Sequence, residues 1–174
     1  MARLVTDPAA GDALASLQLV VFDVDGVMTD GRFSLDDQGA ETKTFHTQDG
    51  YGLRLLLEAG LEIAIVTGRQ SGAVSARMAE LGIAHVYQGA RHKAAVLTQL
   101  LAAVGVQPGK AAAVGDDVPD VDLFAGVGTG IAVANATPPV LAAADWVTTR
   151  RGGHGAVREI ADAILAARQA AAVR

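Results

Sequence analysis

Short apolar runs at residues 17–22, 61–66, 84–87, 111–114 and 130–133 punctuate the chain, each bounded by Gly, Asp or Thr. Runs this continuous fit strands buried on both faces, since a strand with one wet face would alternate apolar and polar residues. Between them apolar residues recur at helical spacing: Leu53, Leu56 and Leu57; Val74, Met78 and Leu81; Val96, Leu97, Leu100, Leu101 and Val104; Val157, Ile160 and Ile164. Strands alternating with helices predict an α/β fold with a doubly wound, mostly parallel sheet. The exception lies at 31–46, where Arg32, Phe33, Ser34 and Leu35 and then Thr42, Lys43, Thr44 and Phe45 flank Asp36-Asp37-Gln38-Gly39. This reads as a projecting β-hairpin, too poor in apolar side chains to be stable without a surface to lie on. With 174 residues, 51% of them hydrophobic, one core suffices, and a single domain over 1–174 is expected, closing with a helix and tail at about 155–174.

The first apolar run ends in Asp23-Val24-Asp25-Gly26. Side chains alternate along an extended chain, so both carboxylates face the same side, and Gly26 lets the backbone turn away. Alone, such a tetrapeptide is as readily a simple turn. Comparable strand ends change the balance: Thr67-Gly68-Arg69 after the second run, and Gly115-Asp116-Asp117-Val118-Pro119-Asp120 after the fourth. Lys93, in the basic stretch Arg91-His92-Lys93, reads by itself as a solvated lysine at a helix start. Thr29 and Asp30 fit caps or turn formers.

Composition narrows the chemistry. The absence of cysteine excludes disulfides and thiolate ligands, and clustered aspartates favour a hard cation such as Mg2+. His85, His92 and His154 have no ligand spacing, so no histidine metal site is expected. A formal charge of -5 argues against nucleic acid as the main partner but leaves room for a small anion at a local positive site. Neither a membrane-spanning run nor a signal-peptide pattern is present, and a cytoplasmic protein without a membrane partner is expected.

In order and spacing these motifs resemble the four signature segments of the haloacid dehalogenase superfamily of aspartate-nucleophile phosphatases, over nearly the whole chain. Asp-Val-Asp-Gly-Val-Met-Thr-Asp-Gly, Gln48-Asp49-Gly50-Tyr51-Gly52, Val66-Thr67-Gly68-Arg69, Tyr87-Gln88-Gly89 and Gly155-Ala156-Val157-Arg158-Glu159 are similar, more narrowly, to the 3-deoxy-D-manno-octulosonate 8-phosphate phosphatase family. The resemblance implies a hairpin in place of a cap domain and a homotetramer whose neighbours help close each site. It implies Asp23 as nucleophile, Asp25 as general acid and base, and Lys93 as the charge that holds Asp23 ionised. Mg2+ is implied on Asp23, the Asp25 backbone carbonyl and Asp116, with Asp117 and Asp120 orienting that site. Phosphate would be bound by Thr67, Gly68 and Lys93, and the sugar acid by His46, Thr47, Gln48, Asp49, Gly50, Arg54, Arg69 and Arg77. For Arg54 a helix-surface position with a packed stem is an equal reading.

The family pattern often has Asn at the place of His46 and Arg at that of Gln48; His46 is either a hydrogen-bonding group or the end of the hairpin strand. Residues 150–155 read as a flexible, basic, glycine-rich connector, which the resemblance sets near a neighbour's site, where segment and tail would gate entry. Two other functions stay open: a phosphatase of a 9-phosphorylated nonulosonate, and a noncatalytic oligomerisation or regulatory module.

Overall fold

Leu19–Phe22 (β1) places four apolar side chains in a row, all buried, as the interior of a sheet covered on both faces requires. The computed structural model, which describes residues 3–173, puts β1 at the centre of a six-stranded sheet. The hairpin strands are Ser34–Leu35 (β2) and Glu41–Thr42 (β3), followed by Glu62–Val66 (β4), His85–Tyr87 (β5), Ala111–Gly115 (β6), Thr129–Ala132 (β7) and Trp146–Val147 (β8). The sheet runs β5-β4-β1-β6-β7-β8 with every pairing parallel. The chain leaves β1 toward β4 and β5, then returns to the other side of β1 through β6, so strand order reverses beside β1.

Helices fill the crossovers as a parallel sheet demands: Gly11–Ala15 (α1), Thr47–Glu58 (α2), Gly72–Leu81 (α3), Lys93–Val104 (α4), Val121–Ala125 (α5), Pro138–Ala143 (α6) and Ala156–Ala172 (α7). Leu53, Leu56, Val74, Met78, Leu97, Leu100, Val157, Ile160 and Ile164, read as helical stripes from spacing, are all buried in the core. Helix α7 packs on α1 and α2, and α4 on α5. Among the described residues no helix is long and apolar enough to cross a membrane.

Two features depart from the sequence expectations. The edge strand β8 has no apolar run; it pairs with β7 over two residues, and Leu4 bridges to Val147 on its other side. The hairpin is shorter than expected, with only Ser34↔Thr42 and Leu35↔Glu41 in register, because Asp36 closes the turn by accepting from the amides of Gln38 and Ala40. Arg174, the last residue of the expected tail, lies outside the described residues.

Candidate active site

The ladder of β1 extends one residue further, where the Asp23 amide donates to the Val114 carbonyl at 3.1 Å. Asp23 therefore sits at the carboxyl edge of the sheet, where strand order reverses, the usual place for a ligand in such a sheet. Beyond it the backbone curls, and the amides of Val27, Met28 and Thr29 all donate to the Val24 carbonyl. The Thr29 hydroxyl accepts from Gly26 and Gly31, and Asp30 accepts from Arg32, so both are turn formers as their residue types suggest. Gly26 has φ +94°, and a Cβ there would lie 2.0 Å from Asp116 Oδ2. No other residue allows this approach.

A distant segment holds the loop. Asn135 Nδ2 donates to the Gly26 carbonyl at 3.0 Å, Asn135 Oδ1 accepts from the Gly152 amide at 2.6 Å, and the Gly153 amide donates to Val27 at 3.1 Å. Residues 150–155 are thus no loose connector: Gly152 is buried, and a Cβ on it would lie 1.8 Å from the Gly26 carbonyl oxygen. The expected result for Gly152→Ala is a stability loss of roughly 1–3 kcal/mol from overpacking, seen as a lowered thermal midpoint, together with a fall in turnover because Gly26 is pushed toward Asp116. Calorimetry and steady-state rates on one preparation check this.

Three acids and one lysine share the floor of the site. Lys93, the first residue of α4, is buried and donates to Asp23 Oδ1 at 2.8 Å and to Asp120 Oδ1 at 2.6 Å. Burial pulls its pKa down, but the two carboxylates outweigh that and the net shift is upward. Burial pushes Asp23 up to about 6, with Asp120 adding repulsion and Lys93 opposing. Burial, then the charges of Asp23 and Asp120, pushes Asp116 to about 7. Oxygens of Asp23, Asp116 and Asp120 lie within 4.8 Å of one another.

Donor satisfaction separates the three. Asp120 is fully used: Oδ1 by Lys93, and Oδ2 by the amides of Asp116 and Asp117 at 3.0 and 3.2 Å. Asp117 caps the turn it opens by accepting from Val118. By contrast, Asp116 Oδ1 is buried without a partner. An orphaned buried carboxylate oxygen beside a second carboxylate is costly unless a cation compensates it, and an all-oxygen set fits a hard divalent ion. Asp23 and Asp116 thus have the free capacity to hold one, while Asp120 positions both Lys93 and the Asp116 backbone.

The cleft above them encloses about 430 Å³ and is lined by Asp23, Asp25, Gly31, Thr67, Gly68, Arg69, Ala90, Arg91, Lys93, Asp116, Asp117, Pro119 and Asp120. A groove of about 820 Å³ between the amino-terminal segment and α7 is larger, but it is walled in part by alanines of α7, and among the described residues its acids, Asp7, Asp12, Glu159 and Asp162, form no such cluster. The cleft therefore unites Asp23, Asp25, Thr67, Gly68, Arg69, Asp116, Asp117 and Asp120 from the three strand ends with Lys93, and adds Arg91, hidden beforehand in the same basic stretch as Lys93.

The residues expected at the sugar acid are divided. Arg69 lines the cleft, whereas His46, Thr47, Gln48, Asp49, Gly50, Arg54 and Arg77 do not. His46 caps α2, its Nδ1 accepting from the Gln48 amide at 3.2 Å, and Thr47, Gln48 and Arg54 are exposed. Asp49 is buried and accepts from the Arg158 amide at 2.9 Å, joining α2 to the start of α7; burial raises its pKa. Gly50 lies against Arg77, which pairs with Glu80. Within one chain, Asp49, Gly50 and Arg77 are therefore packing partners between helices.

The hairpin supplies what the sequence reading missed. Lys43, directly after β3, pairs with Asp25, and Arg69 donates to Glu41 at 2.5 Å while its guanidinium stacks over Phe33 at 4.0 Å. The surface the hairpin needs is the rim of this cleft, where it is held by ion pairs and by the stacking of Arg69 on Phe33.

A profile of haloacid dehalogenase-like hydrolases matches residues 81–160. The 3-deoxy-D-manno-octulosonate 8-phosphate phosphatase of Yersinia pestis is 44% identical over 163 residues, covering 92% of this chain and 87% of that protein. A Yersinia pestis crystal structure of the same name superposes with a TM-score of 0.91 at 42% identity, over 93% of this chain and 88% of that one. The Moraxella catarrhalis phosphatase, crystallised with magnesium, phosphate and the KDO molecule, superposes at 0.89 with 38% identity, over 95% and 97% of the two chains.

Proposed function

The chain belongs to the haloacid dehalogenase-like hydrolases, among the 3-deoxy-D-manno-octulosonate 8-phosphate phosphatases, and from that membership we propose that it is a cytoplasmic, magnesium-dependent phosphomonoesterase. It releases phosphate from 3-deoxy-D-manno-octulosonate 8-phosphate, a step toward the inner sugar of lipopolysaccharide. The observation that carries the reading is the convergence of Asp23, Asp25, Thr67, Lys93 and Asp116 in one cleft, with Lys93 bonded to Asp23.

Asp23 attacks phosphorus as the bond to the sugar oxygen breaks, and Asp25 protonates that oxygen. The resulting phosphoaspartate is hydrolysed by a water from which Asp25 takes a proton. Lys93 keeps Asp23 ionised and fixed, and Thr67 with the Gly68 amide offers donors to the phosphoryl oxygens. Mg2+ would be held by Asp23, Asp116 and the Asp25 carbonyl, and when bound it offsets the negative charge that carboxylates and phosphate bring together. Supporting a homotetramer are Phe33 and Leu35 of the hairpin, 40% and 59% exposed, which a neighbouring copy would cover.

The test is phosphate release from a panel that includes the 8-phosphorylated octulosonate and a 9-phosphorylated nonulosonate, with and without Mg2+, with light scattering on the same sample. The expected outcome is a metal-dependent preference for the octulosonate by a particle of four chains. Broad, weak hydrolysis would keep the phosphatase and remove the named substrate; no hydrolysis would leave a binding module.

A further inference from the structure

Lys43 has a side chain with no exposed surface. An ammonium group withdrawn from water has to be paired; it bonds Asp25 Oδ1, lies 3.4 Å from Glu41 Oε1 and sits 5.3 Å from the Phe33 ring centre. Arg69 closes the same cluster from the end of β4, bonding Glu41 Oε2 and approaching Asp25 Oδ2 at 3.9 Å. Two cations thus share two carboxylates at the rim, and one of these is the group that has to protonate the departing sugar.

While Lys43 holds Asp25, that oxygen faces the hairpin and is not free to meet a leaving oxygen. Withdrawing Asp25 alone would leave the buried Lys43 ammonium with only the longer contact to Glu41, at 3.4 Å, which is costly. A ligand that brings its own anionic group removes that obstacle, and Glu41, placed between Lys43 and Arg69, demonstrates that this pair of cations accepts a carboxylate. We propose that Lys43 is a specificity-determining residue: the carboxylate of a sugar-acid phosphate replaces Asp25 on Lys43, and the exchange frees Asp25 for the leaving oxygen. Phosphate esters without a carboxylate leave the pair closed. The inference rests on the sugar-acid reading above and adds how that site rejects other phosphates.

The test compares wild type, Lys43→Met and Lys43→Arg on 3-deoxy-D-manno-octulosonate 8-phosphate and on p-nitrophenyl phosphate, with Mg2+. In Lys43→Met, kcat/KM for the sugar acid falls on the order of ten- to a hundredfold, chiefly through KM, as expected for a lost charged hydrogen bond. The same variant cleaves p-nitrophenyl phosphate faster than wild type, and Lys43→Arg keeps the wild-type preference. If Lys43→Met does not fold, Lys43→Gln, which retains a donor without the charge, takes its place with the same expectation. An unchanged ratio between the substrates, or equal losses on both, overturns the exchange. Failure of the substrate reading is visible separately, as a wild type with no preference for the sugar acid.

Discussion

Asp23→Asn is expected to abolish turnover, by on the order of 10⁴-fold or more as for other nucleophile deletions, in a protein that melts no lower than wild type in metal-free buffer at pH 8. The substitution is nearly isosteric and removes the attacking oxygen's charge. It also removes one of the crowded acids of the floor, leaving Lys93 with its second partner Asp120 at 2.6 Å. Loss of rate without loss of fold separates chemistry from packing. Substantial residual hydrolysis by the variant would strip Asp23 of its role.

The second large effect concerns pH and metal together. In the folded chain Asp23 titrates near 6 and Asp116 near 7, both above their ordinary 3.8, mainly because burial penalises the charged forms. Between pH 4 and pH 7 the folded state therefore binds more protons than the unfolded state, and stability falls as pH rises through that window. The Lys93 shift is also upward, so its contribution is fully present across the same range. Without divalent cations the cost on going from pH 5 to pH 8 is on the order of a few kcal/mol, or roughly 5–10 °C in midpoint for a domain of this size. Added Mg2+ should recover the midpoint at pH 8 and do much less at pH 5, where protons compete for the same oxygens. Scanning calorimetry at both pH values, with EDTA or Mg2+, decides it; a midpoint that rises with pH in EDTA contradicts the assignment.

The legible parts of this molecule were those encoded in short contiguous stretches. A buried parallel strand has to be an unbroken apolar run, so β1, β4 and β6 stood out, and the residues just after them marked the site. What pattern could not give were contacts made by exchange between distant elements. Strand β8 has two residues and borrows Leu4 as its outer neighbour, so no run announces it. Lys43 reads as an ordinary lysine of a polar hairpin, and only the fold turns its side chain inward to Asp25. Asp49 reads as a substrate ligand in its glycine-flanked motif, and residue type does not reveal that one of its oxygens accepts from the Arg158 amide. Asn135 carries no chemical signal, yet it ties the loop after Asp23 to Gly152.

That tie also orders events during folding. Gly26 and its clasp are separated by 109 residues of chain, and the clasp is closed by Gly152, just ahead of the final helix. Loop closure over such a separation carries a large entropic cost and follows the local steps of helix and hairpin formation. The reactive aspartates are therefore brought into line by a segment far downstream of them in the chain. A chain that has already built β1, α2 and β4 holds its future nucleophile in an unbraced loop, and catalytic competence arrives only when Asn135 and Gly152 dock on it.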